Sequence, residues 1–309
     1  MKVAIVGGSG LVGRALTRSL VADGADVLVD SRDARRRASA VPAPARIADW
    51  SPNDIAGLAE SIAGMDAVVN LAGARVAPWP WTRRRKALIK SSRVDTIHAI
   101  VEALERLPTD RRPSNLIVVS GIDAYPESLP GADPAPMTES TPMGTEFLAQ
   151  VSRSVEDEAS RAQALGVRVT RVRMGNVLAR DADLVWFLAL PVRLFLGGRI
   201  GSGQQWVTWV HIDDAVALFR LALTNAVPGG VLNVTSPGSC RQIDFVRSMA
   251  RALRRPVWLP APAALVRLVL GEQSALLLGS RRVAPEQATA LGFTFRYPTI
   301  DQAFNAVFD

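Results

Sequence analysis

The 309-residue sequence predicts an α/β fold, in which a doubly wound parallel sheet is followed by a smaller, mostly helical C-terminal region. Three observations predict it. Short apolar segments alternate with amphipathic helical segments as far as about residue 177, a rhythm typical of a parallel sheet covered by helices on both faces. Some of these short segments are apolar at every position, as strands buried on both faces are. Beyond residue 177 the rhythm weakens, and prolines punctuate the helical segments.

The individual elements follow from hydrophobic periodicity and from helix start and stop signals. The sequence predicts strands at residues 3–6, 26–30, 46–48, 67–71, 115–120, 167–173 and 231–234. It predicts helices at residues 11–24, 54–62, 84–107, 145–165 and 213–223, and further helical segments between residues 242 and 309. Asp213 or Asp214 is expected to cap the helix that begins there, and His211, which has apolar neighbours, is expected to be a core residue.

The composition indicates a globular chain and excludes several classes of function. Nearly half of the residues are apolar, and the single cysteine, Cys240, excludes an internal disulfide and a multi-cysteine metal site. The net charge is +7, but the basic residues are almost all arginines scattered along the chain, without interleaved aromatic residues. We attribute this charge mainly to the overall amino-acid composition and not to a binding surface. We therefore expect no nucleic-acid partner, and we expect no metal site.

The most apolar stretch, residues 184–198, is too short to span a bilayer and is interrupted by Pro191 and Arg193. The chain starts directly on a strand-like segment, with no signal peptide ahead of it. We therefore expect a cytoplasmic protein without a membrane partner.

A glycine-rich run, GGSGLVG at residues 7–13, lies between the first predicted strand and the first predicted helix. In this order of elements, one glycine allows the tight turn, a second lets a pyrophosphate approach the backbone, and a third lets helix and strand pack closely. Gly7, Gly10 and Gly13 fit these three roles. The pattern predicts a Rossmann-type dinucleotide site, whose contacts in this turn are Gly7, Ser9, Gly10, Leu11, Val12 and Gly13.

The end of the second strand selects between NAD and NADP, because an acidic residue there holds the ribose 2′-hydroxyl and an arginine accommodates a 2′-phosphate. Strand side chains alternate between faces, so either Ser31 or Asp30 faces the cofactor. With Ser31 in that position, Ser31 and Arg32 contact a 2′-phosphate, and Arg35 or Arg36 lies nearby; the predicted contacts are Ser31, Arg32 and Arg36. With Asp30 in that position, NAD(H) is favoured. Three arginines within residues 32–36 favour NADP(H), and NAD(H) is the alternative.

Further motifs follow the glycine turn in a fixed order along essentially the whole chain. They are NLAGA at 70–74, WT at 81–82 with Lys86, SR at 92–93 with Thr96, ESTP at 139–142, FLA at 147–149, GG at 197–198, GSGQ at 201–204, WVHIDD at 209–214, GE at 271–272, RV at 282–283 with Pro285, and GF at 292–293 with Phe295. With these motifs the chain resembles the extended short-chain dehydrogenase/reductases, and within them the epimerase family, also labelled NAD-dependent epimerase/dehydratase or SulA-like.

The resemblance implies a domain organisation. Residues 1–177 would form the NADP(H)-binding Rossmann domain, to which the helix and strand within residues 205–235 return. Residues 178–204, which we expect to be loops, and residues 236–309 would form a substrate-side cap and the small C-terminal domain that this family carries.

The resemblance also implies where the nicotinamide lies. The NLAGA motif would line its side of the cleft, with Gly73 allowing a close approach of the backbone. Ser120, at the end of a predicted strand, falls where the superfamily has its catalytic serine or threonine. The remaining predicted cofactor contacts are Asp49, Leu71, Ala72, Gly73 and Ser120.

The superfamily's Tyr-x-x-x-Lys pair is missing from the helix that should carry it. Alignment puts Leu148 and Ser152 at these positions, and the predicted helix 145–165 contains no tyrosine or lysine. Tyr125, five residues after Ser120, and Glu139 are then the candidates for proton transfer beside Ser120. The alternatives are a packed loop tyrosine and a surface or helix-capping acid.

These observations predict an NADP(H)-dependent oxidoreductase of the epimerase-like type, acting on a small carbonyl, alcohol or enone. Without the Tyr/Lys pair, two alternatives stay open: a cofactor-binding sensor or interaction protein, and a non-redox dehydratase or cyclase on the same fold. By analogy with the superfamily, the helices at 84–107 and 145–165 would form a homodimer interface.

Overall fold

The structure, a computed structural model that describes residues 1–77 and 80–309, contains a seven-stranded parallel sheet. The strands are β1 (Lys2–Val6), β2 (Asp26–Ser31), β3 (Arg46–Asp49), β4 (Ala67–Asn70), β5 (Asn115–Gly121), β6 (Arg168–Met174), β7 (Asn176–Leu178), β8 (Trp206–Val207), β9 (Trp209–His211), β10 (Gly230–Val234) and β11 (Cys240–Arg241). The α-helices are α1 (Leu11–Ala22), α2 (Ala34–Arg37), α3 (Ile55–Ile62), α4 (Arg83–Arg106), α5 (Phe147–Ser160), α6 (Asp183–Arg193), α7 (Ile212–Leu223), α8 (Gln242–Leu253), α9 (Ala263–Leu270), α10 (Ala275–Leu278), α11 (Glu286–Ala290) and α12 (Ile300–Phe308).

The strand order of the large sheet is β10-β6-β5-β4-β1-β2-β3, and every neighbouring pair is parallel. The chain therefore runs outward from β1 in one direction through β2 and β3, and in the other direction from β4 onward. In open parallel sheets, ligands bind at the carboxyl ends of the strands where the order reverses in this way. The GGSGLVG turn begins at that end of β1.

Two separate hydrophobic clusters cover the two faces of the sheet. One cluster includes buried residues of α3, α4 and α5, such as Leu58, Ile100 and Val155. The other includes residues of α1 and α7, such as Leu16 and Phe219. Because both faces are covered, the central strands carry apolar residues at consecutive positions. The predicted doubly wound α/β fold is confirmed.

The segment that follows β7 differs from the expectation of loops. Residues 183–193 form the helix α6, whose Val185, Ala189 and Val192 are buried against α8 and α12. These three positions have helical spacing, but the residues between them are also apolar and Pro191 lies inside the helix, so the periodicity is hidden in the sequence. Two small sheets, β7 with β9 and β8 with β11, accompany this region.

The start of α7 also differs from the prediction. Its N-cap is His211, whose Nδ1 accepts the Asp213 backbone N–H at 3.2 Å, whereas Asp213 and Asp214 lie within the first turn. Asp214 instead accepts the backbone N–H groups of Arg296 and Tyr297 at 2.8 and 2.9 Å. This carboxylate therefore fixes the C-terminal segment to α7. His211 is buried, as expected for a core residue.

Among the described residues, none of the helices combines the length and the apolar character that crossing a membrane requires.

Candidate functional site

The glycine-rich turn is fixed by close backbone contacts. Gly7 has a φ of +78°, and a Cβ atom on it would lie 2.7 Å from the Ala72 Cα atom. A Cβ atom on Gly13 would lie 2.5 Å from the Gly8 Cα atom. The Gly7 N–H donates to the Asp30 carbonyl at 2.9 Å, which joins the turn to β2. Gly7 and Gly13 are thus required for the turn and for the packing of α1.

Gly10 has a different environment, because a Cβ atom on it would meet only the Gly7 carbonyl oxygen, at 3.6 Å. It is the N-cap of α1 and provides no side-chain cap, and the Arg14 N–H is the donor to its carbonyl, at 2.9 Å. The N–H groups of the first helical turn have no partner within a helix and carry its positive partial charge. Open space next to such groups fits the pyrophosphate of a dinucleotide.

The end of β2 has the register that places Ser31, and not Asp30, beside the glycine turn. The Asp30 carboxylate is 1 % exposed and accepts the Ser61 hydroxyl of α3, with both oxygens at 3.1 Å. The Ser31 Oγ lies 3.4 Å from the Ser9 Oγ. The alternative in which Asp30 holds the cofactor ribose is therefore wrong in this fold. Burial raises the pKa of the Asp30 carboxyl from 3.8 to about 6.

The arginines after β2 lie on an exposed segment that two carboxylates hold in place. Asp49 accepts the Ala34 N–H at 2.5 Å, and Asp33 caps α2 by accepting the Arg36 N–H at 3.3 Å. The side chains of Arg32 and Arg36 remain exposed beside the turn that leaves β2. Asp49 thus has a visible role in shaping this segment, and its direct contact with a cofactor stays a prediction.

The loop after β4 lies against the glycine turn. The Leu71 N–H donates to the Val6 carbonyl at 2.9 Å, and the Ala72 N–H donates to the Asn70 side chain at 3.1 Å. Because Gly7 packs on Ala72, the structure brings together the segment predicted to contact the pyrophosphate and the segment predicted to line the nicotinamide side.

Arg93 supports this loop from α4, a role that the sequence did not indicate. Its guanidinium donates to the Ala74 carbonyl at 2.9 Å, and a Cβ atom on Gly73 would lie 2.9 Å from the Arg93 Cζ atom. Gly73 therefore leaves room for Arg93. Burial lowers the pKa of the Arg93 guanidinium.

Ser120 is the penultimate residue of β5 and lies next to a buried ion pair. Its hydroxyl donates to the Glu156 Oε1 atom at 2.7 Å. Arg173 of β6 donates two hydrogen bonds of 2.9 Å to the same carboxylate, from Nε to Oε1 and from Nη2 to Oε2. Glu156 lies one turn beyond Ser152, on the helix α5 where Leu148 and Ser152 replace the superfamily's Tyr/Lys pair.

Tyr125 and Glu139 lie farther along the same chain of polar contacts. Tyr125 is fully buried: its ring lies 4.7 Å from the Arg173 guanidinium, and its hydroxyl donates to the Asn233 side chain at 2.8 Å. Glu139 accepts the backbone N–H groups of Asn233 and Gln287 at 3.1 and 3.3 Å. Burial raises the pKa values of both Tyr125 and Glu139. Their contacts are within the protein, and their part in catalysis stays a prediction.

Sequence reasoning missed Glu156 and Arg173, although one signal was present. Glu156 lies on the face of α5 that also carries Val155 and Ala159, and a carboxylate on an apolar helix face requires a buried partner. Its partner, Arg173, comes from a strand and could be identified only after the fold had placed β6 beside α5.

A reversal of strand order beside a glycine-rich helix N-terminus defines the class of NAD(P)-binding Rossmann proteins. The model of the NAD dependent epimerase/dehydratase family matches residues 3–235, and that of a domain of unknown function, DUF1731, matches residues 261–307. The chain belongs to the NAD dependent epimerase/dehydratase family, and the resemblance that the sequence motifs indicated is confirmed.

Relatives of similar length support this assignment. The chain is 34 % identical, over 99 % of its length and 86 % of the relative, to the chloroplastic epimerase family protein SDR39U1 homolog of Arabidopsis thaliana. It is 30 % identical to the crystal structure of human epimerase family protein SDR39U1 with NADPH, with a TM-score of 0.85 over 100 % of this chain and 99 % of that one. The Thermus thermophilus UDP-glucose 4-epimerase complex with NAD, 18 % identical with a TM-score of 0.79, covers 100 % of this chain and 98 % of that one and shows the shared fold alone.

The buried charge of Asp30 makes stability depend on pH. Because the pKa of this carboxyl is near 6 in the folded state and 3.8 ordinarily, the folded state holds the proton more tightly. The protonated Asp30 carboxyl contributes fully to the free energy of unfolding below about pH 4, and this contribution is lost as the pH rises through about 6. We expect Asp30→Asn, which cannot ionise, to gain about 2 to 3 kcal/mol in free energy of unfolding relative to the wild type between about pH 4 and about pH 7.5, measured by urea denaturation.

The matched control is Asp26→Asn, at the exposed start of the same strand, which should show no such gain. NADPH affinity of Asp30→Asn should stay at the wild-type value, because this carboxylate faces α3. A large loss of cofactor affinity in this variant would contradict the orientation of Asp30 towards α3 and would favour its contact with the cofactor ribose.

Proposed function

We propose that the chain is an NADP(H)-dependent oxidoreductase that acts on a small carbonyl, alcohol or enone. The observation that carries the proposal is the open space at Gly10, next to the uncapped N-terminus of α1 and within a turn that Gly7 and Gly13 hold rigidly. The presence of NADPH in the human relative's crystal structure, which shares the whole fold, supports the same cofactor. A small-molecule substrate and a homodimer through α4 and α5 belong to this proposal.

The residues present fit the cofactor at each of its ends. The first turn of α1 would hold the pyrophosphate through backbone N–H groups. Ser31 and Arg32 would hold the 2′-phosphate, because Ser31 faces the glycine turn and no acidic side chain takes that position. The loop after β4, which Arg93 supports, would lie beside the nicotinamide.

Ser120 and Glu156 would move the proton that accompanies the redox step. When bound, the nicotinamide would accept a hydride from a substrate carbon or donate one to it. The Ser120 oxygen can accept a hydrogen bond from a substrate hydroxyl while its own O–H donates to Glu156. A proton can thus pass from the substrate through Ser120 to Glu156 in oxidation, and along the same path in reverse in reduction. Arg173 fixes the carboxylate with two charge-assisted bonds.

A cofactor-binding sensor without turnover is the second candidate function. Two observations favour it. The positions of the superfamily's Tyr/Lys pair hold Leu148 and Ser152, and the hydroxyl of Tyr125 is buried against Asn233. The two functions differ in turnover and not in cofactor affinity, so activity measurements separate them.

Gly10→Val tests the cofactor site directly. Gly10 has a φ of −76° and ψ of 179°, which any residue adopts, so the variant should fold. Its side chain would occupy the space next to the α1 N-terminus, and we expect at least a tenfold loss of affinity for both NADPH and NADH, measured by calorimetry. Gly13→Ala is the contrasting variant, since its Cβ atom would overlap Gly8 and lower the unfolding temperature. Unchanged NADPH binding in Gly10→Val would contradict the proposal.

Arg32→Ala tests the preference for NADP(H). Because a charge-assisted bond to the 2′-phosphate is absent with NADH, we expect the variant to lose about tenfold in NADPH affinity and to keep its NADH affinity. Arg37→Ala, an exposed arginine on the same segment, is the matched control and should change neither. Equal losses for the two cofactors in Arg32→Ala would show that this arginine does not read the 2′-phosphate.

Ser120→Ala tests the proton path without leaving a buried charge unpaired. On a panel of ketones, enones and alcohols that the wild type turns over, we expect kcat to fall by about 100-fold or more while NADPH affinity is retained. Tyr125→Phe separates the two catalytic assignments, since the buried hydroxyl should matter little. A loss of kcat in Tyr125→Phe as large as that in Ser120→Ala would favour Tyr125 as the catalytic residue. If the wild type binds NADPH tightly but turns over no compound of the panel, the result would favour the sensor function.

A further inference from the structure

The helix α9 is apolar and exposed at the same time. Its sequence is AALVRLVL, and none of its residues is buried. Leu268 is 83 % exposed and Leu265 is 53 % exposed. Across from it, α6 and the segment that follows it expose further large apolar side chains, which are Trp186, Phe187, Leu190, Leu194, Phe195 and Leu196. Contiguous apolar surface of this kind marks a binding site in a folded protein.

A groove lies between α6 and α9, with a volume of about 280 Å³. Every residue that lines it is apolar or glycine, including Leu188 and Val192 on α6, and Leu265, Val266 and Val269 on α9. The volume is close to the lower end of the range for small-molecule sites, roughly 300 to 1,000 Å³. We call this feature the α6–α9 groove.

Both walls of the groove are tied to the loop that follows β4. At the start of α6, Asp183 pairs with Arg75 at 3.3 Å. Just after α9, the buried Gln273 donates from Nε2 to the carbonyls of Val76 and Ala77, at 3.3 and 2.5 Å. This loop continues from the segment proposed to lie beside the nicotinamide. The two walls of the α6–α9 groove are therefore joined to the loop that borders the proposed active site.

The positive charge of the chain is concentrated in the two segments that supply most of the lining of this groove. Residues 184–212 and 245–271 contain no aspartate or glutamate. They contain seven arginines, which are Arg193, Arg199, Arg247, Arg251, Arg254, Arg255 and Arg267. The 36 basic and 29 acidic residues of the whole chain differ by the same number, seven, so the remainder is neutral. Within the described residues, carboxylates lie within 4 Å of Arg247 and Arg251 and of none of the other five.

We propose that the α6–α9 groove binds an amphipathic small molecule, with a single apolar chain in the groove and an anionic group at the arginine-rich rim. This molecule would be the substrate class of the oxidoreductase, so the inference rests on the proposed function. A lining whose described residues carry no polar side chains favours a hydrocarbon chain over a sugar, most of whose hydroxyl groups would be left unpaired. The five arginines for which the described residues offer no carboxylate within 4 Å complement an anion.

The same charge argues against a second copy of the chain as the occupant. A two-fold interface would place this surface against itself and bring the two sets of arginines together. A lipid bilayer would contact the most exposed side chains, such as Leu268, in preference to the floor of the groove. The two walls' ties to the loop after β4 favour the small molecule.

The test is calorimetric titration of the NADPH-bound protein with dodecanoate, below its micelle-forming concentration. Leu265 and Leu268 lie on the same helix and are both exposed, but only Leu265 lines the groove. We expect Leu265→Gln to weaken dodecanoate binding by at least tenfold, and the matched control Leu268→Gln to change it by less than about twofold. Equal losses of dodecanoate affinity in the two variants would contradict binding in the groove. They would indicate that the whole apolar face is the binding surface, as in bilayer binding.

Dodecanol, which has the same chain without the charge, tests the arginine-rich rim. We expect it to bind at least fivefold more weakly than dodecanoate, with a difference that shrinks at high salt. Equal binding of the two compounds would overturn the anionic half of the proposal.

The failure of this inference can be told apart from failure of the proposed function. If the protein binds NADPH but not dodecanoate, the result would contradict the groove as a ligand site and would leave the proposed cofactor site unaffected. Dodecanoate binding that depends on Leu265, in a protein that binds neither NADPH nor NADH, would support the groove as a ligand site and overturn its assignment to a redox substrate.

Discussion

The close backbone packing of the glycine-rich turn is the constraint on which the rest of the site depends. Gly7 lies against Ala72 and Gly13 against Gly8, at distances that leave no room for a side chain. These contacts fix the end of β1, the start of α1 and the loop after β4 at once. The N–H groups at the start of α1 and the loop beside it therefore keep their relative positions through main-chain contacts, and their geometry does not depend on the choice of surrounding side chains.

A buried polar chain imposes the second constraint and joins the Rossmann sheet to the C-terminal region. It runs from Glu156 and Arg173 past the ring of Tyr125 to Asn233, whose backbone N–H donates to Glu139. Burying an ion pair stabilises a fold little, because desolvation offsets most of the attraction between the charges. Its effect here is geometric: two bonds from Arg173 hold the Glu156 carboxylate in one orientation, with Ser120 beside it.

How far the sequence could predict this structure depends on whether a feature is local. The seven strands of the large sheet and the turn at Gly7 follow from short-range patterns, and the structure agrees with them. Strand alternation left Ser31 and Asp30 as alternatives, and the contact of Asp30 with Ser61 decides between them. The helix α6 could not be predicted, because its exposed side is as apolar as its buried side and Pro191 lies within it. Likewise Asp214 looks like a helix cap in the sequence, whereas its partners lie more than 80 residues away along the chain.

The net charge shows that function, like the fold, could not be predicted from the sequence where it depends on residues far apart along the chain. In the sequence the arginines are scattered, and an excess of +7 in a chain of this length indicates no particular partner. The fold brings residues 184–212 and 245–271 together, and these two segments hold as many arginines as the whole excess and no acidic residue. The exposed apolar side chains of α6 and α9 belong to the same two segments. Each property alone is common on protein surfaces. Their coincidence around one groove, beside the loop after β4, is what distinguishes a ligand site from an ordinary basic composition.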